Sequence, residues 1–157
     1  MTEQNAILND TSSREIVVSR TFNAPRELVF GAWTDPKHID NWWGPRAFTT
    51  KTISMDVRPG GVWLFTMHGM GMDFPNKIVY EEVIYPEKLV YMHGSGEEND
   101  HGEFKVWVTF EAEGQKTKLT MRSLFKTAAE RDKVVKEYGA MEGAHQTLDR
   151  LEEELAR

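Results

Sequence analysis

Five histidines are the residues of this chain with the widest scope for chemistry, because imidazole titrates near neutral pH and ligates metals. They are His38, His68, His93, His101 and His145. No two of them have the one- or three-residue separation that places metal ligands side by side on a strand or helix. The chain also has no cysteine to supply a thiolate ligand. The sequence therefore predicts no metal site.

His145 stands apart because it lies among apolar residues at helical spacing, between Met141 and Leu148. Such a histidine is satisfied within the core, anchors a ligand, or acts as a general acid or base. Tyr80 and Tyr138 are the hydroxyl-bearing residues that could join it in catalysis. All three alternatives require the ring to face the interior.

Other catalytic patterns find no support in the sequence. Glu81 and Glu82 are adjacent on a predicted strand, so they point to opposite faces and cannot form a glycosidase-type pair. Neither a G-x-S-x-G elbow, a P-loop nor a G-x-G-x-x-G motif is present. We predict no catalytic residues and no cofactor.

Aromatic residues and methionine are abundant, with five Trp, eight Phe, four Tyr and eight Met. Such side chains build either a large core or the wall of a cavity, where aromatics give shape and methionine adapts to irregular partners. The candidates for a ligand-binding pocket include residues on the inward-facing side of the predicted strands and helix. They are Trp43, Phe48, Trp63, Phe65, Met67, Phe74, Tyr80, Met121, Tyr138, Met141 and His145.

The elements that must position these residues follow from hydrophobic periodicity. Residues 14–22 alternate as a strand, and two short helices follow, the second between Asp35-Pro36 and Gly44-Pro45. Six more alternating segments, joined by short turns, lie between residues 51 and 125. Short turns between consecutive strands predict an antiparallel meander.

The period then changes from 2 to 3.6 residues. A capping box at residues 127–130 begins a helix predicted over 128–155. Gly139 and Gly143 are expected on its solvent side. Its predicted apolar stripe comprises Val134, Tyr138, Met141, Ala144, His145, Leu148, Leu151 and Leu155.

Six motifs identify a resemblance that covers residues 14–157. They are FNAPRELVF (22–30), AWTDP (32–36), WWGP (42–45), MDVRPGG (55–61), PEKLVY (86–91) and EGAHQTLDRL (142–151). Together they resemble the SRPBCC group (START-like, Bet v1-like), in the branch named for the activator of Hsp90 ATPase homologue. The resemblance implies an α+β helix-grip fold, in which a curved seven-stranded antiparallel sheet encloses a cavity with the long C-terminal helix.

Three functions follow as alternatives from the fold and its cavity. The leading expectation is binding of a small apolar or aromatic ligand without chemistry. The second is a cavity-based enzyme of the cyclase, dehydratase or hydrolase type. The third is a protein-interaction or Hsp90-linked module, for which exposed Trp107, Met70 and Met72 would form the contact surface.

Charge and hydropathy limit the partners and the location. The formal charge of −6 disfavours nucleic acid and anionic lipid. No apolar run reaches the ~20 residues that a membrane span needs. Residues 1–13 are polar and predict a flexible tail rather than a signal peptide, with one domain at 14–157. We expect a cytoplasmic protein.

Overall fold

Seven strands form a single antiparallel sheet in the computed structural model, which describes residues 11–97 and 102–157. The strand order is β1-β7-β6-β5-β4-β3-β2. The strands are β1 (Glu15–Phe22), β2 (Thr49–Met55), β3 (Val62–Gly69), β4 (Met72–Ile84), β5 (Lys88–Gly94), β6 (Phe104–Glu113) and β7 (Lys116–Leu124). This order confirms the predicted meander from β2 to β7, which β1 extends by pairing with β7.

Four helices accompany the sheet. Between β1 and β2 lie α1 (Arg26–Thr34) and α2 (Pro36–Trp42), and after β7 lie α3 (Ala128–Tyr138) and α4 (Ala140–Leu155). Asp35 caps α2 as predicted, because its side chain accepts a 3.0 Å hydrogen bond from the backbone N–H of Lys37. The α+β fold class is confirmed.

The predicted single helix over 128–155 is wrong in one respect, because the chain breaks at Gly139. Gly139 has φ 60° and ψ 42°, the left-handed conformation, and ends α3 through a backbone bond to the carbonyl of Val134. The N-terminal signal is confirmed, since the Thr127 side chain accepts a 3.1 Å bond from the Glu130 N–H. Glycine is favoured at 139 because a Cβ is disfavoured at positive φ.

The buried face of α4 is narrower than the predicted stripe. Leu148 and Leu151 are buried against the core, but His145 is exposed rather than directed at the sheet. At about 100° per residue, His145 lies about 120° around the helix axis from Leu151, on the far side of Leu148. The break at Gly139 also turns α4 onto a different axis from α3, so the stripe of α3 does not continue into α4.

The predicted tail at 1–13 lies largely outside the described residues. Ser12–Arg14 form a short 3-10 turn rather than a frayed end. The Arg14 guanidinium ties this turn to the end of β7, donating to the Phe125 carbonyl at 3.1 Å. In the described part of the chain, no helix is both long and apolar enough to cross a membrane.

Arg150 of α4 fastens that helix to the segment that follows α2. Its Nη1 donates to the backbone carbonyls of Gly44 at 2.8 Å and of Pro45 and Phe48 at 3.1 Å each. Its Nη2 donates to the Asn41 carbonyl at 3.2 Å. Burial lowers the pKa of Arg150 from its ordinary value. One side chain thus holds several carbonyls that would otherwise need partners elsewhere.

The break at Gly139 is tested by Gly139→Ala. No atom lies within 4 Å of a Cβ added there, so the cost is conformational, about 1–2 kcal/mol of unfolding free energy for a left-handed alanine. Gly31→Ala is the matched control, because its Cβ also meets open space but its backbone is helical. Alanine should stabilise α1 by about 0.5–1 kcal/mol there. Urea unfolding measures both, and stabilisation by both substitutions would indicate a continuous helix.

The Arg150 contact is tested by Arg150→Met, which keeps much of the apolar stem and removes the donors. Loss of charged hydrogen bonds to partly buried carbonyls should lower the unfolding free energy by about 2–3 kcal/mol. The matched variant is Arg46→Met, since the Arg46 guanidinium pairs with Glu153 at 2.5 Å on the exposed surface. Urea unfolding should show little change for that variant. Equal losses in the two variants would contradict the proposed role of Arg150.

Candidate ligand-binding cavity

A cavity of about 310 Å³ lies between the sheet and the N-terminal half of α4. Strands β1, β3, β5, β6 and β7 contribute its floor, and the Trp43-Gly44-Pro45 segment forms one side. Its apolar lining from the strands comprises Ile16, Val18, Met67, Tyr91, Phe104, Val106 and Met121, with Phe125 just after β7. The volume falls at the small end of the range for ligand sites in proteins.

Small residues on α4 leave this space open. Ala140, Gly143, Ala144 and Thr147 are the helix positions that face the cavity. The expectation that Gly143 faces solvent is therefore wrong: a Cβ added there would lie 3.4 Å from Cγ of Pro45. Larger side chains at these positions would occupy the space between helix and sheet.

Three of the predicted pocket residues meet at the cavity. Trp43, Met67 and Met121 come from the segment after α2, from β3 and from β7, and all three line it. The Trp43 ring also packs edge-on against the core, with its centroid 5.1 Å from that of Trp63 and 5.9 Å from that of Phe65. Trp43 is therefore the boundary between cavity and core.

Three other predicted residues lie in the core on the far side of Trp43 and do not line the cavity. Trp63, Phe65 and Tyr80 are 1%, 1% and 3% exposed. The rings of Trp63 and Phe65 stack with centroids 3.9 Å apart. Inward parity was correct for all three, but Trp43 packs against Trp63 and Phe65 in place of α4.

Three further candidates do not line the cavity. Phe48 and Phe74 pack on each other with ring centroids 5.9 Å apart, and the Phe48 ring closes over Gly69. Met141 packs against the core, partly buried. The side chain of Tyr138 lies outside the described residues.

His145 is exposed, and its predicted inward placement is wrong. Its backbone carbonyl accepts a 3.4 Å bond from Arg20, on the edge where α4 crosses β1. The ring does not reach the cavity, because His145 lies on the opposite side of Leu148 from the α4 positions that face the cavity. The pairing of His145 with Tyr80, on which the enzyme alternative relied, is therefore not formed.

His93 is a cavity residue that the candidate set omitted. Its ring lines the cavity, its centroid lies 5.0 Å from that of Phe104, and its Nε2 is hydrogen-bonded to the Asn76 amide oxygen at 2.9 Å. Tyr91, two residues earlier on β5, shares the same face. The period-2 alternation of β5 could have identified both. His68, at the end of β3, does not line the cavity and pairs with Asp73 at the β3–β4 hairpin.

Polar groups are few in the wall. The Thr147 hydroxyl already has a partner, since it donates to the Gly143 carbonyl at 2.8 Å, within α4. Burial raises the pKa of the Tyr91 phenol above its ordinary value, and the neighbouring Tyr80 adds to the effect. Tyr91 therefore stays uncharged at neutral pH. The cavity offers a largely apolar surface.

A second cleft, of about 390 Å³, lies between α1, α2 and the end of α4 and has a different character. The nearly buried Glu154 accepts bonds there from His38 at 2.9 Å and from Asn41 at 3.1 Å. Burial alone would raise the pKa of Glu154, but these hydrogen bonds and the charges of Arg157 and His38 outweigh it, so the pKa is lowered. The cleft is lined by ionic groups and suits an apolar ligand poorly.

Trp107 lies on the opposite face of the sheet from the cavity. Its register against Val90 and Arg122 is regular, so Trp107 follows the normal strand alternation without a bulge. Lys105 and Arg122 lie over its ring, at 5.0 Å and 4.5 Å from the centroid. These contacts are cation–π interactions that cover part of the indole. Across the described residues, no group of three potential metal ligands lies together.

Solved structures with the same fold come from several bacteria. A protein of Arthrobacter aurescens superposes with a TM-score of 0.85 at 21% identity, covering 94% of this chain and 89% of that one. A protein of Nitrosomonas europaea gives 0.83 at 23%, with 92% and 96% covered. The AHSA1 protein of Silicibacter pomeroyi gives 0.74 at 19%, with 90% and 97% covered. Comparison with curated proteins finds no match.

The sequence itself matches a family model over most of its length. The model is described as "Activator of Hsp90 ATPase homolog 1-like protein" and matches residues 23–156. The matched region contains α1, α2, six of the seven strands and both C-terminal helices. This chain therefore belongs to the Activator of Hsp90 ATPase homolog 1-like family and has its SRPBCC fold.

Proposed function

We propose that this protein binds one small apolar or aromatic molecule in the cavity beneath α4, without converting it chemically. The observation that carries the proposal is the cavity of about 310 Å³ between small residues of α4 and an apolar sheet face. Burial of apolar ligand surface there contributes roughly 25 cal/mol per Å². The volume suits a molecule of one or two rings.

The composition of α4 supports this proposal. Leucines fill the interface further along α4, at Leu148 and Leu151, whereas alanines stand at Ala140 and Ala144. An apolar molecule beside these alanines would make dispersion contacts with them and with the apolar face of the sheet.

The protein-interaction alternative has one observation in its favour. Met70 and Met72 at the β3–β4 hairpin are 75% and 58% exposed, and Met70 adopts a positive φ of 55°. A hairpin turn with two left-handed residues favours Asn-Gly or Asp-Gly, so methionine at this position is unusual. Trp107 does not extend this exposed apolar surface, because the side chains of Lys105 and Arg122 lie over its ring.

The proposal is tested by Ala144→Leu, which places a larger side chain in the cavity. We expect the affinity for a neutral aromatic dye, N-phenyl-1-naphthylamine, to fall by at least about tenfold, because ligand and leucine compete for one volume. The matched control is His145→Leu, which adds leucine at the next, exposed position. Dye titration by fluorescence, with circular dichroism to verify folding, measures both. Equal affinities in the two folded variants would contradict binding in this cavity.

A further inference from the structure

One hydrogen-bonding group behind Trp43 has no partner among the described residues. The Trp33 indole N–H is fully buried, and no acceptor pairs with it. The hydroxyls of Tyr80 and Tyr91 also form no hydrogen bond with the described residues, but they are not fully buried. A buried donor without an acceptor loses its bonds to water and gains nothing in return. Each such group in a folded protein therefore calls for an explanation.

All three residues line one small void, which is too small to hold a water molecule. Ordered water therefore cannot satisfy the Trp33 N–H in this conformation. Two neighbouring core indoles show the usual arrangement. The Trp42 N–H donates to the Ala32 carbonyl, and the Trp63 N–H donates to the Thr52 hydroxyl, both at 3.0 Å. Trp33 differs from them in lacking an acceptor.

The void adjoins the ligand cavity. Trp43 and Tyr91 line both spaces, and the Trp43 ring centroid lies 5.5 Å from that of Trp33. The backbone of Trp43 is fixed, since its carbonyl accepts a 2.8 Å bond from the Thr50 hydroxyl. The side chain of Trp43 therefore separates the void from the cavity, and a rotation of this side chain is the movement that the proposal requires.

We infer, resting on the proposed function, that the ligand is an aromatic molecule with one neutral hydrogen-bond acceptor, such as an aryl ketone. Its ring lies in the cavity, and its oxygen passes Trp43 to accept from the Trp33 N–H and the Tyr91 hydroxyl. A carboxylate fits poorly, because the void is bounded by neutral side chains, among them Ile78 and Leu89, that cannot balance its charge. A pure hydrocarbon leaves the donors unpaired.

The test compares 2-acetylnaphthalene with 2-isopropenylnaphthalene, in which a C=CH₂ group replaces the C=O group with nearly the same shape. Competition against the dye measures both affinities. The wild-type protein should bind the ketone at least about tenfold more tightly than the alkene. In Trp33→Phe the ratio of the two affinities should fall to within about threefold. Trp42→Phe, which removes an indole already paired with Ala32, should preserve the wild-type ratio.

A second measurement uses the unaltered protein and does not depend on folding of a variant. The indole N–H resonance of Trp33, followed by ¹H–¹⁵N NMR, should shift downfield with the ketone and not with the alkene. Equal affinities of the wild type for the two probes, or an unmoved Trp33 resonance, would overturn this inference and leave the cavity proposal standing. Failure of both probes to bind would instead overturn the proposed function.

Discussion

The hydrogen bonds from Arg150 to the backbone that follows α2 are the constraint on which the site depends. Through Gly44, Pro45 and Phe48, one guanidinium fixes the distance between α4 and the segment that carries Trp43. That distance sets one side of the cavity and keeps the Trp43 ring between cavity and core. Charged donors to several carbonyls give a stronger and more directional contact than apolar packing alone. A ligand can then occupy space that the helix does not fill.

Within that constraint, the turn at Gly139 and the composition of α4 decide which residues face the sheet. The left-handed glycine starts α4 in a phase that brings Ala140, Gly143 and Ala144 over the sheet. Leu148 and Leu151 then close the interface further along. One helix therefore supplies both an open half, where a ligand fits, and a packed half that contributes most of the burial.

Strand alternation predicted much of the fold, because each strand has one apolar face and every second residue of a strand points to the same face of the sheet. It placed Met67 and Met121 correctly at the cavity. The same alternation could not distinguish Phe65 from Met67 and Met121. It shows which residues face inward, but which element covers them depends on tertiary packing. His145 was misplaced because it lies at the edge of the apolar stripe, and periodicity alone does not reveal how wide a face the sheet covers. Arg150 was overlooked as an anchor because its partners are backbone carbonyls, which have no sequence signature.

Methionine methyl groups give the most direct measurement of where a ligand binds. With ¹³C-methyl methionine, NMR titration with naphthalene should shift the signals of Met67 and Met121 saturably, since both side chains line the cavity. The exposed Met70 and Met72 serve as internal controls and should not move. Saturable shifts confined to Met67 and Met121 are the result predicted by binding beneath α4. Shifts at Met70 and Met72, with none at Met67 and Met121, would contradict it.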